Sequence, residues 1–175
     1  MVSQQQLKIL ISRDEIAKAV SRLAREIERD YRDKQPLLIG VLKGSFMFMA
    51  DLIRELDLPL DLDFIRLSSY DTARESSGEV EVIHETKTPV KDRDILVVED
   101  IVDTGITISF LLDYLKSKQP ASLKVCTLTD KPPRRRVPVP IDYRGFTLPN
   151  KFIVGYGLDC GQRFRNLPDI YTLED

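Results

Sequence analysis

The stretch Asp94-Ile95-Leu96-Val97-Val98-Glu99-Asp100-Ile101-Val102-Asp103-Thr104-Gly105-Ile106-Thr107 decides the fold. Residues 95–98 are apolar without interruption and suit a buried strand. They run into two adjacent carboxylates, Glu99 and Asp100. A third carboxylate, Asp103, opens an Asp-Thr-Gly-Ile-Thr turn, and a helical pattern follows. A strand that ends in paired acids and turns into a helix places those acids beside a helix N-terminus. Acids can hold ribose hydroxyls or a metal, and a helix start can hold a phosphate. The combination suits a sugar phosphate.

Outward from this stretch, Pro36-Leu37-Leu38-Ile39-Gly40-Val41-Leu42 is a second continuous apolar run and reads as a buried parallel strand. Ser12-Arg13-Asp14-Glu15 reads as a capping box. Ile16, Val20, Leu23 and Ile27 then recur at helical spacing, which predicts a helix to about Tyr31. Further helices are predicted over 46–56 and 106–115. Further strands are predicted over 62–67, 122–128 and 151–155, with an alternating strand of one wet face over 79–84. The polar residues 69–78 read as a mobile loop. Lys131-Pro132-Pro133-Arg134-Arg135-Arg136 is too rich in proline and charge for regular structure. The fold class is therefore α/β, a mainly parallel sheet flanked by helices and joined by right-handed crossovers. Such sheets bind ligands beyond the carboxyl ends of their strands. The turns at Lys43, at Glu99-Asp100 and at Asp130-Lys131, together with residues 156–159, should meet at one edge.

The chain has 175 residues, which fits one domain over 1–175 with a sizeable core. Lys and Arg number 26 against 28 Asp and Glu, a net charge of −2, which argues against non-specific nucleic-acid binding as the main task. No apolar run approaches a membrane span, and the first residues lack the basic start and long apolar stretch of a signal peptide. Cys126 and Cys160 lie far apart, and His84 is the single histidine, so neither a disulfide scaffold nor a zinc site is supported. Both cysteines read as structural, and His84, on an exposed alternating strand, as outside the chemistry. A reduced, cytoplasmic, soluble enzyme or binding domain is expected.

Each polar residue of interest also has an ordinary reading. Glu99 and Asp100 alone would be solvated loop acids, and Thr104-Gly105-Ile106-Thr107 a polar capping turn. Lys43-Gly44 would be a plain strand-to-helix turn, Lys131 a solvated loop lysine and Phe152 a core aromatic. Arg134, Arg135 and Arg136 read as a solvated or subunit-contact face. The Gly-x-x-x-x-Gly-Lys loop for nucleoside triphosphates and the Gly-x-Gly-x-x-Gly dinucleotide fingerprint do not occur.

Together, however, the motifs resemble a known family. Val97-Val98-Glu99-Asp100-Ile101-Val102-Asp103-Thr104-Gly105 resembles the phosphoribosyl-pyrophosphate (PRPP) signature of type I phosphoribosyltransferases. Leu42-Lys43-Gly44-Ser45 resembles their pyrophosphate loop, whose Leu-Lys peptide can be cis. Ser69-Tyr70 resembles the start of their flexible active-site loop. Lys131 falls at the purine-reading lysine, and residues 151–159 with Phe164-Arg165 resemble the base-stacking and pyrophosphate segments. Five motifs in order span most of the chain. The nearest resemblance is to the hypoxanthine-guanine phosphoribosyltransferases.

That resemblance implies a type I phosphoribosyltransferase fold with a small hood and a flexible loop. It also implies a reaction in which a 6-oxopurine and PRPP give the purine nucleoside monophosphate and pyrophosphate. PRPP would be bound by Lys43, Gly44, Glu99, Asp100 and Asp103, by the turn Thr104, Gly105, Ile106 and Thr107, and by Arg165. Asp103 would also act as general acid/base near purine N7. Lys131, Phe152 and the backbone of Ile153 would hold the purine, and Ser69 and Tyr70 would belong to the closing loop. The implied cofactor is Mg²⁺, with Asp159 as direct ligand and Glu99 and Asp100 acting on the ribose hydroxyls directly or through metal-bound water. Ile106 departs from the Lys or Asn often found there, which removes a side-chain contact and leaves the backbone N–H groups. The partners implied are small-molecule substrates, with no nucleic acid and no membrane, in a homodimer or homotetramer. Two alternatives stay open: a xanthine-preferring enzyme, and an RNA-binding regulator on the same fold. The latter needs a basic face, for which residues 131–136 are the candidate.

Overall fold

The computed structural model describes residues 6–72 and 75–174. Strand β1 is Gln6–Ile11, helix α1 Arg13–Asp30, strand β2 Leu37–Leu42, helix α2 Phe46–Glu55, and strands β3 and β4 are Asp61–Thr72 and Glu75–His84. Strand β5 is Asp94–Val102, helix α3 Ile106–Ser117 and strand β6 Ser122–Asp130. A 3-10 turn over Pro132–Arg134 precedes strand β7 at Tyr143–Thr147, strand β8 at Ile153–Val154 and strand β9 at Ile170–Glu174.

Six strands form the main sheet in the order β4-β3-β2-β5-β6-β7. All its pairs are parallel except β3 with β4. The continuous apolar runs have a direct cause. Along β2, Leu37, Ile39 and Val41 face one side and Leu38 the other; along β5, Ile95 and Val97 alternate with Leu96 and Val98. Both faces are covered, so both parities must be apolar. One face packs on Ile16, Val20, Leu23 and Ile27 of α1 and on Phe48, Met49 and Leu52 of α2. The other packs on Ile108, Leu111, Leu112 and Leu115 of α3. Helix α1 begins as expected: Ser12 accepts from the Glu15 N–H while the Glu15 carboxylate accepts from the Ser12 N–H, and Tyr31 caps the far end.

Four expectations need correction. Residues 69–78 are not a loop in the described part, because β3 and β4 pair out to Asp71 opposite Ser76 and Thr72 opposite Glu75. The ladder is made by backbone groups, so polar side chains do not prevent it. The expected loop tip at 73–74 lies outside the described residues, as do the side chains of Ser69 and Tyr70, whose backbones are part of β3. Strand β5 does not end at Glu99-Asp100 but continues to Val102, with Glu99 opposite Thr127 and Val102 opposite Asp130. The predicted strand over 151–155 is only Ile153–Val154, and it does not join the main sheet. It pairs antiparallel with β9, which pairs with β1, in a separate three-stranded sheet. This second sheet is the small hood. The place beside β6 is taken by β7, whose five residues include Gly145.

Helix α3 begins at Ile106, within the turn over 103–107, so its seating matters to the site. Leu111 is fully buried between α3 and the sheet. Leu111→Ala is expected to lower the unfolding free energy by about 2–5 kcal/mol, read as a shifted urea midpoint at unchanged slope.

Candidate active site

Strand ends and turns converge at the carboxyl edge of the main sheet. The Leu42–Lys43 peptide is cis. Gly44 lies so close to Asp100 that any side chain on it would collide with the Asp100 carboxylate. The next close approach is between Gly157, at φ +96°, and the Gly44 carbonyl, where a Cβ would again collide. The loop after the hood strand β8 is thus locked onto the loop after β2. Tyr156 reinforces this by donating from its hydroxyl to Asp51 on α2 at 2.6 Å.

A cavity of about 270 Å³ opens here. It is lined by Gly44, Glu99, Asp100, Asp103, Thr104, Gly105 and Thr107, with an apolar floor from Val41, Leu42, Leu67 and Ile108. Glu99 and Asp100 are both buried. Burial, then the neighbouring Asp100 charge, holds the Glu99 carboxyl well above the usual range. Their strand is pinned to β6 by Thr129, whose hydroxyl donates to the Asp100 carbonyl at 2.8 Å.

The start of α3 is left open by its own side chains. Gly105 is the N-cap at φ +85°, no side chain caps the helix, and its first turn has no acid. Thr104 Oγ accepts from the Ile106 N–H at a long 3.4 Å. A helix start with orphan N–H groups and no acid in its first turn is suited to a phosphate. The ordinary reading of residues 104–107 as a self-capped turn holds for the Ile106 N–H alone, at that long distance.

Lys131 is not a solvated loop lysine. It is 5% exposed, and burial holds its ammonium below the usual lysine range, with the Asp103 carboxylate opposing and Arg134 adding to the shift. Its backbone N–H donates to the Val102 carbonyl at 3.0 Å, which brings it to the end of β5. Phe152 is not a core aromatic: it stands 55% exposed at the entry to β8, while Ile153 beside it is buried. An exposed ring next to a fixed backbone is a stacking platform for a flat ligand.

On the other flank, Asp159 accepts from the Gln162 N–H at 2.8 Å and pairs with Arg165 at 2.7 Å. Arg165 also donates to the Gly157 carbonyl at 2.7 Å. The Gln162 side-chain oxygen accepts from Lys43 Nζ at 3.0 Å and from Arg165 at 3.4 Å. Lys43 and Arg165, far apart in sequence, are therefore neighbours across one amide. Among the described residues, no three His, Cys, Asp or Glu side chains surround a single point, so Glu99, Asp100 and Asp159 do not form one cage.

Three residues near the site were not foreseen as part of it. Arg134 Nε pairs with Asp103 Oδ1 at 2.8 Å. Arg135 lies against Asp130 and the carbonyls of Val102 and Asp103. Arg134 remains exposed, as a solvated face predicts, while Arg135 is half-buried and departs from that reading; the basic run itself is the available signal. Gln162, at φ +68°, had no signal in the sequence. His84 is exposed and Cys126 is fully buried. Burial pushes the Cys126 thiol far up, so it is inert packing.

Comparison with known proteins agrees with this geometry. Residues 8–160 match the phosphoribosyl transferase domain family. The hypoxanthine-guanine phosphoribosyltransferase of Bacillus subtilis (strain 168) is 47% identical over 167 residues, covering 95% of this chain and 93% of that protein. The enzyme of that name from Streptococcus pneumoniae (strain ATCC BAA-255 / R6) is 44% identical, covering 96% of this chain and 93% of its own length. A crystal structure of a Bacillus anthracis hypoxanthine-guanine phosphoribosyltransferase, with a HEPES molecule in its active site, superposes with a TM-score of 0.92 at 43% identity. It covers 97% of this chain and 100% of that one.

The contact between Gly44 and Asp100 yields a direct test. Gly44→Ala must push the carboxylate aside, and misplacement by about 1 Å can cost on the order of 10²-fold in rate. Turnover is expected to fall by that order, while the far-ultraviolet circular dichroism spectrum is unchanged.

Proposed function

This chain belongs to the hypoxanthine-guanine phosphoribosyltransferase family and is a transferase. On that footing, we propose that it transfers the 5-phosphoribosyl group of PRPP to a 6-oxopurine, hypoxanthine and guanine, in purine salvage. The observation that carries the proposal is the buried pair Glu99–Asp100 beside an uncapped helix start, with a buried lysine at the adjacent strand end.

The roles follow from where charge develops. The purine imidazole nitrogen attacks C1 of the ribose, the bond from C1 to pyrophosphate breaks, and the ring sheds a proton. Positive charge builds on the ribose as the bond opens, and the Glu99–Asp100 pair, at the ribose hydroxyls, favours it. Residues 103–107 receive the 5′-phosphate on backbone N–H groups and the start of α3. Asp103 takes the purine proton. Lys43 and Arg165 hold the leaving pyrophosphate, Arg165 with the planar fork that suits a bidentate contact. Phe152 stacks on the purine, and the Ile153 backbone reads its edge.

Mg²⁺ fits the donor set, because it prefers hard oxygen ligands and is usually held by one or two carboxylates together with substrate phosphates. Asp159 would hold it, with Glu99 and Asp100 meeting it directly or through water. Bound there, the ion supplies neutralisation of the departing pyrophosphate. The regulator alternative has less support. Arg134 is paired with Asp103 and Arg135 with Asp130, so two of the three arginines are committed within the molecule. No helix among the described residues is long and apolar enough to cross a membrane. A cytoplasmic homodimer or homotetramer is proposed.

Initial rates with PRPP and Mg²⁺ against hypoxanthine, guanine, xanthine and adenine test the reading. Turnover of hypoxanthine and guanine is expected; preference for xanthine or adenine would overturn the substrate assignment. Asp103→Asn keeps the size of the side chain and removes proton transfer, typically worth about 10²–10⁴-fold. The loss is expected in kcat, with the KM for PRPP nearly unchanged in steady-state assays.

Lys131 carries the selectivity. An ammonium only donates hydrogen bonds. It matches the acceptor at C6 of a 6-oxopurine and opposes the amino donor of adenine. A site built to pair with one group can reject the mispaired analogue by roughly 10⁴-fold or more. Lys131→Ala is expected to lower kcat/KM for hypoxanthine and to narrow its ratio to adenine. An unchanged ratio would place selectivity in the backbone at Ile153.

A further inference from the structure

Three successive carbonyls, those of Val102, Asp103 and Thr104, face the same piece of chain. The Val102 carbonyl accepts from the Lys131 N–H at 3.0 Å and from Arg135 Nη2 at 3.4 Å. The Asp103 carbonyl accepts from Arg135 Nε at 3.2 Å. The Thr104 carbonyl accepts from the N–H groups of Arg136 at 2.8 Å and Val137 at 3.0 Å. Gly105 completes the fit, since a side chain there would collide with the Val137 carbonyl and crowd Arg135. In a trans peptide the carbonyl and the following N–H point in opposite directions. Turning these three carbonyls to the rear therefore turns the N–H groups of Asp103, Thr104 and Gly105 forward, to the cavity side.

Arg135 is the one side chain in this arrangement, and it is itself fixed. Its guanidinium also pairs with Asp130, whose side chain is 2% exposed, while that of Arg135 is 18% exposed. Asp130 accepts in addition from Arg144 on β7 at 3.0 Å. A planar guanidinium can reach a carboxylate and two carbonyls at once, whereas a lysine ammonium is a point charge without that fork. Asp130 immediately precedes Lys131 and lies opposite Val102 in the sheet. The same clasp thus joins the turn after β5 to the base of the lysine at the end of β6.

We infer that Arg135, anchored on Asp130, is the positioning residue of the phosphate-binding turn: it holds the N–H groups of residues 103–105 toward the ligand phosphate. The inference rests on the phosphoribosyl-transfer reading above. It places Arg135 behind the turn, out of contact with substrate, so its effect should follow the phosphate and not the base.

The test compares inosine 5′-monophosphate with inosine, which differ only in that phosphate, by isothermal titration or competition. In Arg135→Lys, affinity for the nucleotide is expected to fall about tenfold or more, and affinity for inosine by less than about threefold. In turnover, the KM for PRPP should rise while the KM for hypoxanthine stays within about twofold. Equal losses for nucleotide and nucleoside would show a merely structural role and overturn the inference, as would an unchanged nucleotide affinity. If Arg135→Lys does not fold, the double variant Asp130→Asn with Arg135→Gln removes both buried charges together, and the same comparison decides. If the unsubstituted protein binds neither ligand, the substrate reading fails and the inference with it; normal binding there with uniform loss in the variants overturns the clasp alone.

Discussion

Glu99 and Asp100 are two adjacent carboxyl groups below the surface of one strand, and much of the surrounding structure answers to them. Burying like charges side by side is costly, which is why the Glu99 carboxyl is held so far up. The chain gives these groups room by removing side chains around them. Gly44 has none because the Asp100 carboxylate fills that space, and Gly157 has none because the Gly44 carbonyl fills the next. Tyr156, between Gly155 and Gly157, then reaches α2 through Asp51. One electrostatic burden on β5 is thus transmitted, by successive close approaches, to the loop after β2, the hood and α2.

The cations are distributed to either side of this pair. Lys43 and Arg165 meet over Gln162 on one flank; Lys131 and Arg134 border Asp103 on the other. The proposed roles use that separation: Lys43 and Arg165 for the leaving pyrophosphate, Lys131 for the purine oxygen. A side-chain cation paired directly with Glu99 or Asp100 would occupy the oxygens that the proposed Mg²⁺ and the ribose hydroxyls need.

The parts of the fold legible in sequence were those whose signal is local. The apolar runs of β2 and β5 reflect burial on two faces, and the box from Ser12 to Glu15 reflects a cap closed within four residues. Lys43-Gly44, residues 99–107 and Lys131 are each short local stretches with ordinary readings of their own, and only their order along the chain, matched to a family, singled them out. The rest depended on partners distant in sequence. Strand β1 leaves Leu7 and Ile9 exposed and exists by pairing with β9 at the other end of the chain. Strand β8 is two residues long and β7 only five, too short for any periodicity. Residues 75–78 look like a loop by composition but are held by backbone pairing, to which composition is blind. Arg134 and Arg136 are exposed, as a solvated face predicts, whereas Arg135 is half-buried because it meets the carbonyls of Val102 and Asp103, which lie far back in the sequence.

The residues proposed to hold the purine stand at two different sheets, and this has a mechanical meaning. The phosphate-binding turn and Lys131 belong to the main sheet, bound by buried ladders. Ile153 belongs to the three-stranded hood, and Phe152 immediately precedes it. The link between the two runs through Gly155, Tyr156 and Gly157, all at positive φ, with Gly155 pressed on the Asp169 carbonyl and Gly157 on that of Gly44. A segment held by such approaches has little freedom to slide, because each requires the absence of a single Cβ. Asp169 extends the constraint by accepting from the Arg13 N–H at the start of α1. The hood is therefore referenced to the main sheet at both edges. In the proposed reading, a stacking ring beside one sheet is then held in register with a hydrogen-bonding lysine at the end of the other, although among the described residues the two sheets share no strand.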